Sequence, residues 1–316
     1  MPRPLFADPK TDFVFKRIFG SEEHKDILMA FLNHLLELDH KHRIVEVKLL
    51  DLEQRPPIAE LKHSIVDVKC KDAKGTHYVV EMQVLNVEGF EKRVVYNVAK
   101  AYTSQLSKSA KYPKLNDVVG ITICDFELWP NTAHSHIPML SHWRMQEQHG
   151  GALGLSQIQF VFLELPKYNA GDQPKTLVDK WAYFFREAEN LELVPEALSA
   201  EPYINALEVA RAAGFSESEW DAYIRAGIAL QDERGALSLA QKQGEIKGER
   251  RGHAKGKREG LLEGECKGLR SAVKAISKVL GISLSEAQQK KLEECSAPEL
   301  EALLTHLQSH KQWPEQ

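Results

Sequence analysis

Two segments of strand-forming residues, joined by a short turn that contains glycine, constrain the fold of this chain most. Residues 64–70 and 77–85 are rich in β-branched and apolar side chains, a composition typical of strands. Between them, Ala73-Lys74-Gly75 can form a three-residue loop with glycine in the left-handed conformation. We therefore expect an antiparallel hairpin whose register is set by this turn.

That register brings two carboxylates together. It pairs Asp67 with Glu81, and opposed residues of an antiparallel pair have Cβ atoms about 4.5 to 5.5 Å apart. Side chains repeat every second residue on one face, so Gln83 shares the face of Glu81. Ionised carboxylates this close repel each other unless a cation compensates, and Mg²⁺ prefers oxygen ligands. The cluster thus predicts a magnesium site, although acidic pairs also occur on solvated surfaces.

The remaining periodicity predicts an α/β domain over residues 1–170. Its candidate elements, in chain order, are helices at 11–20 and 22–38, strands at 44–50, 64–70 and 77–85, a helix at 89–110, and strands at 118–124 and 158–165. The order is therefore helix, three strands, helix and strand, with one more strand after a polar insertion.

The C-terminal half is expected to be helical. Residues 171–240 show helical apolar spacing and predict a small helical domain. Within 241–270 a glycine recurs every fourth residue, among nine Lys or Arg and five Glu. Since glycine costs about 1 kcal/mol relative to alanine inside a helix, we expect this basic segment to be either a flexible linker or a helix on whose glycine stripe a partner packs. It would serve as a mobile or self-associating linker, or as an arm that contacts DNA. Residues 271–316 predict a helical cap or an oligomerisation element.

The composition argues against several classes of protein. No apolar stretch approaches the roughly 20 residues that span a bilayer, and the first residues lack the apolar region of a secretory signal. We therefore expect a cytoplasmic protein without membrane contact. The net charge of −4 gives no general attraction for nucleic acid, so binding of nucleic acid needs a local basic surface.

Other cofactor sites are not indicated. The four cysteines form no CxxC pair, which argues against a zinc ribbon or a disulfide framework. The insertion holds four histidines whose spacing matches no zinc-ligand pattern, namely His134, His136, His142 and His149. There is no Walker phosphate-binding loop, and Gly150-Gly151-Ala152-Leu153-Gly154 does not follow a strand, so no nucleotide cofactor is expected.

The chain resembles a known family in the order of its motifs. Asp67, the pair Glu81-x-Gln83, the segment 11–19 (TDFVFKRIF) and Arg93-x-x-Tyr96 are similar to the recombination-promoting nuclease and transposase (Rpn) family of the PD-(D/E)XK nuclease superfamily. The resemblance covers most of the first 170 residues. It implies a restriction-endonuclease-like αβββαβ core with a mixed sheet, DNA cleavage that depends on Mg²⁺ or Mn²⁺, and a role in recombination or mobile-element transfer.

The resemblance also assigns residues to the site. Asp67 and Glu81 match the metal-binding catalytic acids, and Gln83 stands in the place of the motif lysine. Val66 stands where the motif has proline, which carries no chemistry. Because glutamine cannot supply a positive charge, another cation is required, and either Lys100 or Lys69 is a candidate.

For several further residues the sequence leaves two roles open. Asp12 is expected either to assist in binding the metal or to cap the first helix. Arg93, Tyr96 and Lys100 are expected to contact DNA phosphate, or the helix that carries them simply docks on the sheet. Contacts with phosphate position DNA without reading its sequence, which predicts low sequence specificity.

Two functions from different classes follow. The first is a Mg²⁺-dependent DNA endonuclease, in which Asp67 and Glu81 bind the ion and Gln83 orients water or metal. The alternative is a catalytically inactive DNA-binding or assembly protein on the same fold, with self-association through the C-terminal region. A third possible function is RNA cleavage or defence against phage, and no feature of the sequence distinguishes it from the first two.

Overall fold

The structure is a computed structural model that describes residues 3–54, 64–106, 111–151 and 153–314. Its contacts divide the chain into two compact units, Met1–Arg234 and Gly235–Gln316. Within the described part of the chain, no helix combines the length and the apolar character needed to cross a membrane.

A six-stranded mixed sheet forms the centre of the first unit. Its strands, in spatial order, are β1 (Val47–Leu49), β4 (Val68–Asp72), β5 (His77–Gln83), β6 (Val118–Cys124), β8 (Gly154–Glu164) and β7 (Leu140–Gln146). The pairs β5–β6 and β6–β8 are parallel, and the other pairs are antiparallel. Two short strands, β2 (Glu53–Gln54) and β3 (Ser64–Ile65), pair separately.

Helices cover both faces of this sheet. They are α1 (Asp12–Phe19), α2 (Lys25–Leu35), α3 (Phe90–Thr103), α4 (Asn131–His134), α5 (Leu177–Glu187), α6 (Tyr203–Ala210) and the start of α7 (Glu217–Val279). Side chains along β5 point alternately to the two faces of the sheet. Val79 packs with α3, whereas Val80 belongs to the larger core with α1, α2, α5 and α6. The predicted αβββαβ core with a mixed sheet is confirmed.

The hairpin prediction is confirmed as well. Strand β4 pairs with β5 so that Val68 lies opposite Val80, and Gly75 in the turn has φ +94°. The local signals fixed the ends of elements less well. The helix expected at 22–38 is a 3₁₀ turn followed by α2, and the strand expected at 44–50 is only β1. Residues 107–110, expected to end the helix from residue 89, lie outside the described residues.

Gly120 allows α3 to approach the sheet. A Cβ atom at this position of β6 would lie 2.4 Å from Cγ2 of Val98 on α3, closer than two carbon atoms can pack. The absence of a side chain therefore sets the distance between α3 and β6. This matters because α3 carries several of the expected site residues.

The helices after the sheet do not form the separate domain that was expected for residues 171–240. Trp181 of α5 packs on Phe19 and Phe31, with ring centroids 5.9 and 5.2 Å apart, and Tyr203 of α6 packs on Trp181 at 4.8 Å. These side chains belong to one apolar core with α1 and α2. Their large aromatic surface is buried in this shared core, not in a core of their own.

The second unit contains the rest of α7, α8 (Glu286–Glu294) and α9 (Ala297–His310). Its small core is formed by Val273, Leu292, Leu300 and Leu307. Residues 241–270, for which the sequence left a linker or a helix open, are helical and part of α7. At the seven glycines spaced by four residues from Gly244 to Gly268, no described atom lies within 4 Å of the place a Cβ would take.

Candidate active site

Asp67 stands directly before β4, at the point where the chain bends away from the sheet. Its Oδ2 atom accepts a hydrogen bond from the backbone N–H of Met82 at 2.8 Å. The side chain thereby continues the ladder beyond Val68, and extension of the observed register places Asp67 opposite Glu81. The sequence-predicted proximity of the two acids follows from this register.

Glu81 is buried on the face of β5 that α3 covers. It is 9% exposed, and its Oε1 accepts a hydrogen bond from Nδ2 of Asn97 at 2.7 Å. Asn97 lies in the middle of α3 and is 3% exposed. Its Oδ1 atom is buried and has no hydrogen-bond partner among the described residues. Asn97 has no role among the residues assigned from the sequence, although its spacing of four residues from Arg93 places both on one side of the helix.

The carboxyl groups are held in an environment that disfavours their charge. Burial raises the pKa of Asp67, and the charges of Asp12 and Glu81 raise it further, against the Met82 N–H and Lys16, which lower it. Burial likewise raises the pKa of Glu81, opposed by the Asn97 hydrogen bond and the Arg93 charge. A bound cation would favour the ionised form of both groups.

Gln83 ends β5 and is held by two contacts. Its Nε2 donates to the backbone oxygen of Leu85 at 2.7 Å, and its Oε1 accepts a hydrogen bond from Nη2 of Arg93 on α3. The cation beside the motif-lysine position is therefore the guanidinium of Arg93. Neither of the lysines proposed for this role is among the described residues that line the cavity in front of the acids.

Those two lysines lie elsewhere. The pKa of Lys69 is lowered, first by burial, and the charge of Lys100 lowers it further, so the two cations are near each other. Lys100 places Nζ 5.6 Å from the ring centroid of Tyr96. It thus lies on the same helix as Arg93 but beyond the acids, where it borders Tyr96.

The side chains of Asp12 and Asp67 are connected through a lysine that contacts both. Nζ of Lys16 lies 2.6 Å from Oδ1 of Asp12 and 3.8 Å from Oδ1 of Asp67. The Asp12 side chain is 63% exposed, and the residue before helix α1, Thr11, occupies the N-cap position, so Asp12 does not cap the helix. Lys16 was assigned no role in the site from the sequence. Its spacing of four residues from Asp12 in a helix is the signal that could have shown the pair.

An open cavity of about 720 Å³ lies in front of the two acids. The side chains that line it include Asp67, Glu81, Gln83, Arg93, Tyr96 and Asn97. Two expected phosphate contacts, Arg93 and Tyr96, are thus brought to the acids, whereas Lys100 and Asp12 are not among the residues that line this cavity.

The donor set fits a hard divalent cation. It offers two carboxylates and one unpartnered amide oxygen, and oxygen atoms are the ligands of Mg²⁺ and Mn²⁺. In the described residues, no group of three His, Cys, Asp or Glu converges on a metal position, so Asp12 does not form a three-acid cluster with Asp67 and Glu81. An ion bound by two carboxylates would keep places for water and for substrate oxygen.

Comparison with known proteins extends this picture. A family model described as PD-(D/E)XK nuclease family transposase matches residues 9–240. This range contains the sheet, helix α3 and every residue of the cavity. The searches of curated proteins and of solved structures gave no match.

Proposed function

Since the chain belongs to the PD-(D/E)XK nuclease family of transposases, we propose that it is a metal-dependent nuclease that hydrolyses phosphodiester bonds in DNA. The observation that carries this proposal is the juxtaposition of Asp67 and Glu81 in one cavity, next to the guanidinium of Arg93. Burial raises the pKa of both carboxyl groups, and the charge of Glu81 also raises that of Asp67, so their ionised forms are disfavoured unless a cation is bound.

Asp67 and Glu81 are the residues that would hold Mg²⁺ or Mn²⁺. A divalent ion bound by them would lower the pKa of a bound water and polarise the phosphoryl oxygen. Met82 N–H fixes the orientation of Asp67, and Asn97 fixes that of Glu81, so both carboxylates are oriented before substrate arrives. Gln83, locked by Arg93 and Leu85, can orient water or a phosphate oxygen through its amide.

Arg93 supplies the positive charge that glutamine cannot. The guanidinium presents several N–H donors, of which one group is used by Gln83, so others remain for a phosphate oxygen. Tyr96 lines the cavity one turn further along α3, and Lys100 follows after another turn. This row of donors would engage the sugar-phosphate backbone, which is why we propose cleavage with little sequence specificity.

The biological role proposed for this activity is recombination or mobile-element transfer. It rests on the family alone, whose description is that of a transposase. A nuclease that makes few base contacts could open DNA for strand exchange at many positions.

The test is nicking or linearisation of supercoiled plasmid with Mg²⁺ or Mn²⁺, by the unmodified protein and by Asp67→Ala. We expect cleavage by the former and a loss of at least about a hundredfold in the variant, because an ion held by one carboxylate is bound poorly. Glu91→Gln, on the exposed side of α3, is the matched control and should cleave normally. Equal cleavage by Asp67→Ala would contradict the site.

The alternative, a DNA-binding or assembly protein without cleavage, has its own signature in the same experiment. It rests on the glutamine at position 83, which carries no charge of its own. Inactivity of the unmodified protein, together with salt-dependent DNA binding that is lost in Arg93→Ala, would support it in place of the nuclease.

A further inference from the structure

The two ends of the Asn97 side chain have different surroundings. Nδ2 donates to Glu81 Oε1 at 2.7 Å, whereas Oδ1 is buried and receives no hydrogen bond from any described residue. Asn33, the other buried asparagine of the described chain, shows the usual situation. Its Nδ2 donates to Ile44 O at 2.9 Å, and its Oδ1 accepts from Ile44 N at 2.8 Å.

An unpartnered buried amide oxygen needs an explanation. Leaving such an acceptor without a partner costs folding free energy, and native proteins rarely do so unless a water or an ion supplies the contact. Asn97 is 3% exposed, so bulk solvent does not reach the atom freely. The same residue lines the cavity in front of Asp67 and Glu81. The unpartnered oxygen belongs to the amide whose nitrogen contacts the Glu81 carboxylate, which is one of the two groups expected to hold the cation.

The orientation of the amide is fixed by its neighbour. If the group were rotated by half a turn, Oδ1 would face the oxygen of Glu81, and a hydrogen bond to a carboxylate would be replaced by a repulsive contact. The amide thus keeps Nδ2 on Glu81 and leaves Oδ1 beside the same carboxylate. Amide oxygens are ordinary ligands of hard divalent cations.

We propose that Asn97 supplies, through Oδ1, a third oxygen ligand for the divalent ion held by Asp67 and Glu81. This inference rests on the proposed function, because it requires that the two carboxylates bind a metal. It also assigns a task to helix α3. An ion shared by two residues of the hairpin and one residue of α3 would tie the helix that carries Arg93 and Tyr96 to the sheet.

The test measures Mn²⁺ binding by the full-length protein, with free Mn²⁺ followed by electron paramagnetic resonance. Asn97→Leu keeps the approximate size of the side chain and removes both polar ends, and we expect its affinity for Mn²⁺ to fall by about tenfold or more. Asn97→Asp keeps an oxygen at the Oδ1 position but loses the donor to Glu81. We expect it to bind Mn²⁺ at least as tightly as the unmodified protein, because a carboxylate is the stronger ligand.

The pattern of results separates the roles. If Asn97 only orients Glu81 through Nδ2, Asn97→Asp loses that hydrogen bond, adds a like charge, and binds Mn²⁺ as weakly as Asn97→Leu, which overturns the inference. Unchanged affinity in Asn97→Leu also overturns it. Circular dichroism confirms that each variant is folded, and if Asn97→Leu fails to fold, a weakened Mn²⁺ affinity in Asn97→Asp still overturns the inference.

Failure of the proposed function looks different. In that case the unmodified protein and Asp67→Ala bind Mn²⁺ equally, whatever happens at position 97. If instead Asp67→Ala loses Mn²⁺ and Asn97→Leu does not, the metal site stands and only the third ligand is wrong. Glu91→Gln, on the exposed side of the same helix, should match the unmodified protein throughout.

Discussion

The guanidinium of Arg93 donates a hydrogen bond to the side-chain oxygen of Gln83, so a cation from α3 stands beside the last residue of β5. At the place that the resemblance assigns to the motif lysine, the chain thus has a neutral amide with a charged group from another element beside it. In the proposed nuclease, the two residues together would offer the chemistry of one charged side chain.

Arg93→Ala should reduce plasmid cleavage by about a hundredfold or more while Mn²⁺ binding is retained. The reason is that a preorganised cation beside the reacting phosphate stabilises charge that develops in the transition state. Arg93→Lys should recover part of the activity. In the double variant Gln83→Lys with Arg93→Ala, the lysine restores the charge at the motif position, and cleavage should exceed that of Arg93→Ala. Lower cleavage in the double variant would argue against a shared role.

Asp67→Asn should stabilise the metal-free protein at pH 8. Burial raises the pKa of Asp67 above its unfolded value, so its contribution to folding is complete below about pH 4 and is lost as pH rises through the folded-state pKa. Asparagine keeps an acceptor for Met82 N–H and has no charge to bury. The free energy of unfolding, measured in urea at pH 5 and pH 8, should fall less with pH in the variant.

Asp8→Asn is the matched control for that experiment. Burial raises the pKa of Asp8 to about 6, so this variant should also be stabilised near neutral pH, mainly as pH rises from about 4 to 6. Mn²⁺ should raise the melting temperature of Asp8→Asn as it does for the unmodified protein, but not that of Asp67→Asn. A Mn²⁺ response in Asp67→Asn would remove this carboxylate from the metal site.

Gly120→Ala should destabilise the first unit by about 1 to 3 kcal/mol, because its Cβ would lie 2.4 Å from Val98 Cγ2 and force α3 away from β6. Val98→Ala should cost less in the Gly120→Ala background than alone, and a double-mutant cycle in urea measures this coupling. Gly214→Ala, where no described atom lies within 4 Å of a new Cβ, is the control. Additive effects would contradict the close contact.

Alanine at Gly248, Gly252 and Gly256 should increase the helix signal in circular dichroism. Each replacement favours the helix by about 1 kcal/mol, and no described atom lies near the added methyl groups. Sedimentation velocity on the same variants tests whether chains associate through this stripe. A reduced helix signal, or loss of an oligomer formed by the unmodified protein, would show that the glycines pack closely against another chain.

The hairpin and its acidic pair could be predicted because their signals are local. Gly75 fixes the turn, the turn fixes the register, and the register brings Asp67 opposite Glu81. The buried strand β6 was found with the correct ends because all of its side chains are buried, which leaves a continuous apolar run.

Strand β7 was not predicted because it is an edge strand. Most of its residues are exposed, including His142 and Arg144, so the sequence reads as a polar insertion. The helices in residues 171–240 were expected to form a separate domain, and this expectation failed for a related reason. Apolar spacing shows that α5 and α6 bury one face, but it does not show which element covers that face.

Which side chains contact one another in the site depends on how α3 is placed on the sheet. The spacing of Arg93, Asn97 and Lys100 places them on one side of a helix, but spacing alone does not select which of them meets the end of β5. Because the connection from Gln83 to Phe90 is short, the first turns of α3 lie beside that strand end. Lys100, seven residues after Arg93, is about 10 Å further along the helix axis.

The central claim is that Asp67 and Glu81 share one divalent ion, and diffraction from crystals soaked in Mn²⁺ tests it most directly. We expect an anomalous peak for manganese between the two carboxylates, absent from crystals of Asp67→Ala grown in the same way. An anomalous map with no peak at these carboxylates, although the crystals remain ordered and the side chains keep their positions, would contradict it.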